Sequence, residues 1–322
     1  MILAIIGAFA VTLVVLLLLL KTRLYDLALD QPNLRSLHAH SIPRTGGIAV
    51  MSGVLAAWLL IDSSWHLLIP TIILMFVSVI DDVRSLSVRW RLLAQLIVSA
   101  AVSISVLPEY AWWMHILVVL AITWMMNLYN FMDGSNGLAG GMALFGFGSY
   151  AVAAVAGNDL QMATLNASVA AASFAFLLFN FHPARIFLGD GGSVPLGFLA
   201  GAIGLLGWQR EVWSAWFPLL VFSPFIVDAS VTLFKRIVGR EKVWQAHRSH
   251  YYQRLIQMGW SHRKTAIAEY CLMIAVGVSA IFLIKQSSTI VWIVFVGWLI
   301  IYCIIMQMID KEWRLKSCSV PN

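Results

Sequence analysis

Five short polar segments hold most of what this sequence could use for chemistry, and carboxylates lead them. Asp81 and Asp82 stand side by side at the end of an apolar run. Asp133 precedes Gly134 and Gly137 in the stretch Asn130–Gly137. Asp190 lies within Gly189-Asp190-Gly191-Gly192-Ser193, which opens another apolar run. Hard carboxylate oxygens suit magnesium, which keeps several waters and takes one or two carboxylates plus substrate phosphates. Glycines ahead of a helix N-terminus can cradle a phosphate with backbone N–H groups. An acid inside such a turn repels bare phosphate, so the combination favours a diphosphate bridged by a metal. Each feature has an ordinary explanation too: acids at a helix end are cheap to solvate, and Asp and Gly are common turn residues. These segments are specific only as a set.

Bases stand in the remaining segments. Arg44 belongs to Pro43-Arg44-Thr45-Gly46-Gly47, which follows His38 and His40, and Arg185 lies five residues before Asp190. His247 and His250, three apart and interleaved with Arg248 and Arg254, suit phosphate oxygens. A zinc pair is the rival reading, but no convincing third ligand accompanies it. Lys235, Arg236, Arg240 and Lys242 read as a lipid-facing basic surface. Asp228 and Glu269 fall inside apolar runs, where an ionisable residue is a functional candidate by default, with an ion pair as the alternative.

The elements that position these residues follow from composition. Of the 322 residues 61% are hydrophobic and 11% charged, against about 25% charged in soluble domains. Met1–Leu20 carries no charge, and about 20 apolar residues span a bilayer as a helix. The expected fold is an all-α, polytopic membrane protein of 10 or 11 transmembrane helices, forming one domain over 1–322. The apolar segments are 1–20, 46–62, 66–80, 92–107, 111–130, 138–156, 160–180, 192–208, 213–234, 265–284 and 289–309. Alternation puts all five polar segments on one side. That side holds 19 of the 21 Lys and Arg residues, the signature of the cytoplasmic face. The N-terminus is then external and the C-terminus cytoplasmic. The net charge of +6 reflects this topology, so no nucleic-acid partner is expected. The N-terminal run lacks the basic start and small-residue site of a cleavable signal. Cys271, Cys303 and Cys318 show no disulfide or zinc spacing.

Over residues 20–265 the sequence resembles the polyprenyl-phosphate N-acetylhexosamine-1-phosphate transferases. Their Pro-Arg-x-Gly-Gly segment matches Pro43–Gly47, and their Asp-Asp pair matches Asp81 and Asp82. Their Asn-x-x-Asp-Gly-x-Asp-Gly segment matches Asn130–Gly137, with Asn136 in place of the second Asp. Their Asn-x-x-Pro-Ala-x-x-Phe-x-Gly-Asp-x-Gly-Ser segment matches Asn180–Ser193. The peptidoglycan branch carries consecutive histidines where this chain has His247-Arg248-Ser249-His250-Tyr251-Tyr252. This chain is similar instead to the bacterial branch that initiates O-antigen and other surface polysaccharides.

The resemblance implies a UDP-N-acetylhexosamine donor, a 6-deoxy sugar included, an undecaprenyl phosphate acceptor, Mg2+ and release of UMP. It implies an inner-membrane enzyme working at the cytoplasmic face, and it leaves a homodimer open. Asp190 is then the first magnesium ligand, with Asp82 as a second. Asp81 and Asp82 share the roles of base and of metal or acceptor contact, in an order left open. Asp133, with a catalytic role, and Asn136 hold the nucleoside or help shape the site, and Asn130 and Asn180 bind substrate. His247, His250, Arg44, Arg185 and Arg248 face phosphates or sugar. Tyr251 and Tyr252 either pack on the sugar or anchor their loop at the interface. A secondary transporter would put polar residues at the midplane of repeated halves, and no repeat is visible. An aspartate-rich prenyltransferase would show a third acid after Asp82 and a second Asp-rich copy, and neither is present.

Overall fold

The computed structural model describes residues 1–22, 28–30, 41–61, 65–242 and 247–318. His38 and His40 lie outside them. Every apolar segment forms helix, as it must where no water can satisfy the backbone. In chain order these are α1 (Ile2–Lys21), α2 (Gly46–Leu59), α3 (Trp65–Arg84), α4 (Val88–Val106), α5 (Trp112–Phe131), α6 (Leu138–Ala156), α7 (Leu160–Asn180), α8 (Asp190–Gln209), α9 (Trp216–Val221), α10 (Ser223–Val238), α11 (Tyr251–Gln257), α12 (His262–Leu283) and α13 (Ser288–Cys318).

Among the described residues nine helices are long and apolar enough to cross a membrane: α1, α3 to α8, α12 and α13. The all-α, multi-pass fold is as expected, but two of the eleven apolar segments are not simple spans. The 14 residues of α2 rise about 21 Å, short of a hydrocarbon core of about 30 Å. The segment 213–234 breaks at Phe222, where α9 ends and Pro224 opens α10. Proline suits a helix start because its missing N–H has no partner there in any case. One short ladder was not foreseen: β1 (Leu29–Asp30) pairs antiparallel with β2 (Ile42–Pro43), Leu29 opposite Pro43.

The centre of the bundle is α6, α7 and α8, whose buried faces carry mostly small residues. Small side chains let helix backbones approach closely where packing, not hydrophobicity, drives association. Buried polar groups are tied within the bundle: Tyr129 donates to Ala139 O at 2.8 Å, Tyr150 to Ala200 O at 3.0 Å, and Trp58 to Ser168 Oγ at 3.1 Å. The outside is apolar, as Trp292, Ile293, Leu299 and Ile300 of α13 illustrate. With 31 residues, α13 is about 46 Å long. Its last turns reach α11: Asp310 accepts from Arg254 Nη1 at 2.8 Å and from Lys235, and Lys316 bonds Met258 O.

Candidate active site

The start of α2 and the start of α8 are laced together by backbone. Phe187 N donates to Pro43 O at 2.8 Å, Gly46 N to Phe187 O at 2.9 Å and Gly47 N to Leu188 O at 2.8 Å. Only glycine fits this crossing. A Cβ on Gly47 would stand 2.2 Å from Gly192 N, and one on Gly189, whose φ is +72°, 2.4 Å from Arg44 O. Two of the sequence motifs therefore become one structural unit, with Arg44 and Asp190 on either side of the seam.

Asp81 and Asp82, in the last turn of α3, do different work. Asp82 turns to α8, accepting from Gly191 N at 2.9 Å and Asp190 N at 3.2 Å. A carboxylate at a helix N-terminus meets unpaired N–H groups and the positive end of the dipole. The glycine-rich turn is therefore no open phosphate cradle, because Asp82 occupies those two donors. Asp81, 9% exposed, closes the turn into α4 by accepting from Leu86 N at 2.6 Å. Its other oxygen accepts from Arg91 Nη1 at 2.7 Å, and the same Arg91 nitrogen reaches Asp190 Oδ2 at 3.1 Å. Asn130, at the end of α5, donates to Asp190 Oδ1 at 2.8 Å and to Ser193 Oγ at 3.0 Å.

Asp133 belongs to the same cluster. Burial, then the charge of Asp190, push its carboxyl well above the usual carboxylate range; Asp82 adds to this and Arg44 opposes it. Four carboxylates thus crowd one end of the bundle with Arg44 and Arg91 among them. Arg91 escaped the sequence reading. Its signal was a cation in the first turn of a membrane helix, where the helix dipole disfavours it.

The other expected residues divide. Asn180 is buried, accepting from Gly137 N at 2.9 Å and donating to Ile186 O at 2.8 Å. It ties two loops together. Asn136 is buried against His182 Nδ1 at 3.0 Å. Arg185 is exposed and lies over the Phe179 ring at 5.6 Å. Arg248 is exposed, its carbonyl accepting from Gln257. Neither Arg185 nor Arg248 bonds a carboxylate of the cluster. His247 and His250 lie together, ring centroids 4.8 Å apart. Burial, then the charges of His250 and Arg236, push the His247 imidazole down to about 4.

The sugar-stacking role of the tyrosines fails on geometry. Tyr252 is fully buried, with its hydroxyl on Phe131 O at 3.1 Å. Tyr251 is buried too, and its ring lies under Lys235 and Arg254. Both pin α11 to the bundle.

Beside the carboxylates runs a groove of about 280 Å³ between α3, α4, α5, α8 and α10. Arg91, Asn130 and Asp190 stand at its polar end, while Leu74, Leu92 and Val194 line its apolar wall. Among the described residues no three His, Cys, Asp or Glu side chains are disposed to hold a metal by themselves. The donor set still fits magnesium, since oxygens of Asp81 and Asp190 converge on one cationic nitrogen and magnesium needs only one or two carboxylates.

The fold is thus a polytopic helix bundle with clustered carboxylates at one end, beside an apolar groove. Residues 64–207 match Glycosyl transferase family 4. The chain is 31% identical over 310 residues to a probable undecaprenyl-phosphate N-acetylglucosaminyl 1-phosphate transferase of Bacillus subtilis, covering 90% of this chain and 86% of that one. It is 29% identical over 296 residues to a decaprenyl-phosphate N-acetylglucosaminephosphotransferase of Mycolicibacterium smegmatis, covering 76% and 72%. A phospho-N-acetylmuramoyl-pentapeptide-transferase of Halalkalibacterium halodurans is 29% identical over 183 residues, covering 57% and 54%. The chain belongs to glycosyl transferase family 4, among its polyprenyl-phosphate sugar-1-phosphate transferases.

Proposed function

We propose that this protein transfers N-acetylhexosamine-1-phosphate from a UDP-sugar to undecaprenyl phosphate, releasing UMP, as the first step in building a surface polysaccharide such as O-antigen. The observation that carries this reading is the junction of the carboxylate–arginine cluster with the apolar groove at Arg91, Asn130 and Asp190. An acceptor with an anionic head and a long apolar tail needs both environments at one point. Relatives named for N-acetylglucosamine cover 90%, 89% and 76% of the chain, and those named for the muramoyl-pentapeptide cover 70% and 57%. The donor in this reading is a simple N-acetylhexosamine nucleotide, 6-deoxy relatives included.

Two anions must meet, so the site must offset their repulsion. Asp190 with Asp81 would hold magnesium, since Asp82 is spent on the N-terminus of α8. Bound there, magnesium would supply Lewis-acid stabilisation of phosphate oxygens. Arg91 and Arg44 add fixed positive charge, and Asn130 orients Asp190. Asp82 and the crossing glycines keep the two loops in register. Catalysis is then mostly positioning and charge neutralisation, as in other phosphoryl transfers. The excess of Lys and Arg at this end of the bundle supports a cytoplasmic site in a bacterial inner membrane.

The test is a competition assay with purified protein, magnesium and undecaprenyl phosphate. UDP-N-acetylglucosamine, its 6-deoxy relatives and the muramoyl-pentapeptide nucleotide compete, with UMP release and lipid mass as readouts. Turnover of the simple sugars is expected. Preference for the muramoyl-pentapeptide nucleotide would move the chain to the peptidoglycan branch, and failure with every donor would reject the activity.

A further inference from the structure

Asp228 sits on α10, 6% exposed, at the join between that helix and α11. A carboxylate so buried is costly unless its oxygens are hydrogen bonded. Here donors converge on both. Tyr251 N at 2.9 Å, Thr232 Oγ1 at 3.1 Å and His250 Nδ1 at 3.3 Å bond Oδ1, and Tyr252 N at 3.0 Å bonds Oδ2. The two backbone bonds cap a short helix, and a cap would need nothing more. The imidazole is the informative partner. An ionised carboxylate only accepts, so the bond fixes a proton on Nδ1 of His250. That leaves Nε2 as the ring nitrogen that Asp228 does not engage.

The ring is also held in place. It stacks between Phe131, with centroids 6.1 Å apart and planes 27° apart, and Tyr252, at 6.0 Å and 16°. Phe131 lines the groove next to Asn130 and Asp190. Tyr252 bonds Phe131 O, and its hydroxyl fills the space over Gly134, next to Asp133. Asp228 thus holds, through one short helix, both the imidazole and the loop that carries Asp133.

We propose that Asp228 is a positioning residue for the transfer reaction, fixing His250 in the Nδ1–H form so that Nε2 meets the phosphates of the substrate. This rests on the function proposed above. Asp228 itself touches no reacting atom; it works through His250, as the orienting partner of a metal- or proton-handling histidine does.

The experiment is a double-mutant cycle on full-length protein, with Asp228→Asn, His250→Gln and both together. Turnover is measured as UMP release, alongside the thermal midpoint. Asp228→Asn is expected to lower kcat about 10- to 100-fold. In the His250→Gln background the same change should cost less than about twofold, because residues acting as a unit are non-additive. Losses that multiply independently, or an Asp228→Asn enzyme with normal kcat, would overturn the proposal. The second measurement needs no Asp228 variant: nitrogen NMR of histidine-labelled wild-type protein, with His250 assigned by its loss in His250→Gln. A protonated Nδ1 with a donor-sensitive Nε2 is expected; a bare Nδ1, or an Nε2 that ignores UDP-N-acetylglucosamine, overturns it. A wild-type protein that releases no UMP would reject the function, while the Nδ1 signal would still decide the Asp228–His250 pairing.

Discussion

Replacing Gly47 by alanine probes the seam that brings Arg44 to Asp190. A Cβ there would stand 2.2 Å from Gly192 N and 2.4 Å from Gly192 Cα. Ordinary contact begins at 3.4 Å, so α2 and α8 must part by about 1.2 Å, and such overpacking typically costs about 1–3 kcal/mol. Both obstructing atoms are backbone, so no side chain can swing aside. Alanine recovers up to about 1 kcal/mol of helix propensity, leaving a net cost of roughly 0–2 kcal/mol. Stability should therefore fall modestly. Turnover should fall far more, because a misplacement of about 1 Å between reacting groups can cost about 100-fold. Arg44 lies three residues from Gly47, and Asp190 two from Gly192, so the shift passes directly into the site. The control is Gly148→Ala in α6, where nothing lies within 4 Å of the new Cβ. The assay is UMP release at saturating donor and lipid, with a thermal midpoint for each variant. A Gly47→Ala enzyme of normal kcat would refute the reasoning. So would an equal loss in Gly148→Ala.

Asp190→Asn should abolish transfer while the protein stays folded and inserted; near-normal turnover at limiting magnesium would remove Asp190 from the ligand set. Arg91→Ala strips the shared cation from Asp81 and Asp190, and kcat should drop about 100-fold, with Arg91→Lys retaining part of the rate; an unchanged rate for Arg91→Ala takes it out of the site. Burial holds the His247 imidazole down to about 4 in the folded protein, against about 6.5 in the unfolded chain. The unfolded chain therefore binds more protons between those values, and stability declines as pH falls through that window. His247→Gln should flatten the decline of the thermal midpoint between pH 6.5 and 4 and leave it unchanged above pH 7; an unaltered slope contradicts the assignment. A cysteine at Ser249, with the native cysteines removed, should label from the cytoplasmic side only; external labelling would invert the topology.

The membrane frame was legible because the bilayer imposes a length and a polarity that any spanning helix must meet. The same measure is blind to a break inside an apolar run. Nothing in hydropathy separates 213–234 from a continuous span, and only Pro224 marks where α10 starts afresh. The ladder of Leu29–Asp30 on Ile42–Pro43 is two residues a side, too short to leave a periodic pattern.

The carboxylates were legible because charge is expensive beside lipid, so acids clustered at helix ends stand out. Their division of labour was not. Asp81 and Asp82 are neighbours in sequence, yet on the last turn of α3 they point to different partners, one to Arg91 and one to the N-terminus of α8. That split follows from where α8 begins, which rests on Gly47 and Gly192 passing backbone to backbone. Residue type announced the glycines, but only the packing shows what they are for. The glycine-rich turn around Asp190 reads in sequence as a place for phosphate to approach the backbone. In the fold Asp82 already occupies two of its N–H donors, so the turn acts by setting carboxylates at a fixed spacing. The phosphates must then be met by cations, which is why Arg91, absent from every motif read in the sequence, stands at the point where the carboxylates and the apolar groove meet.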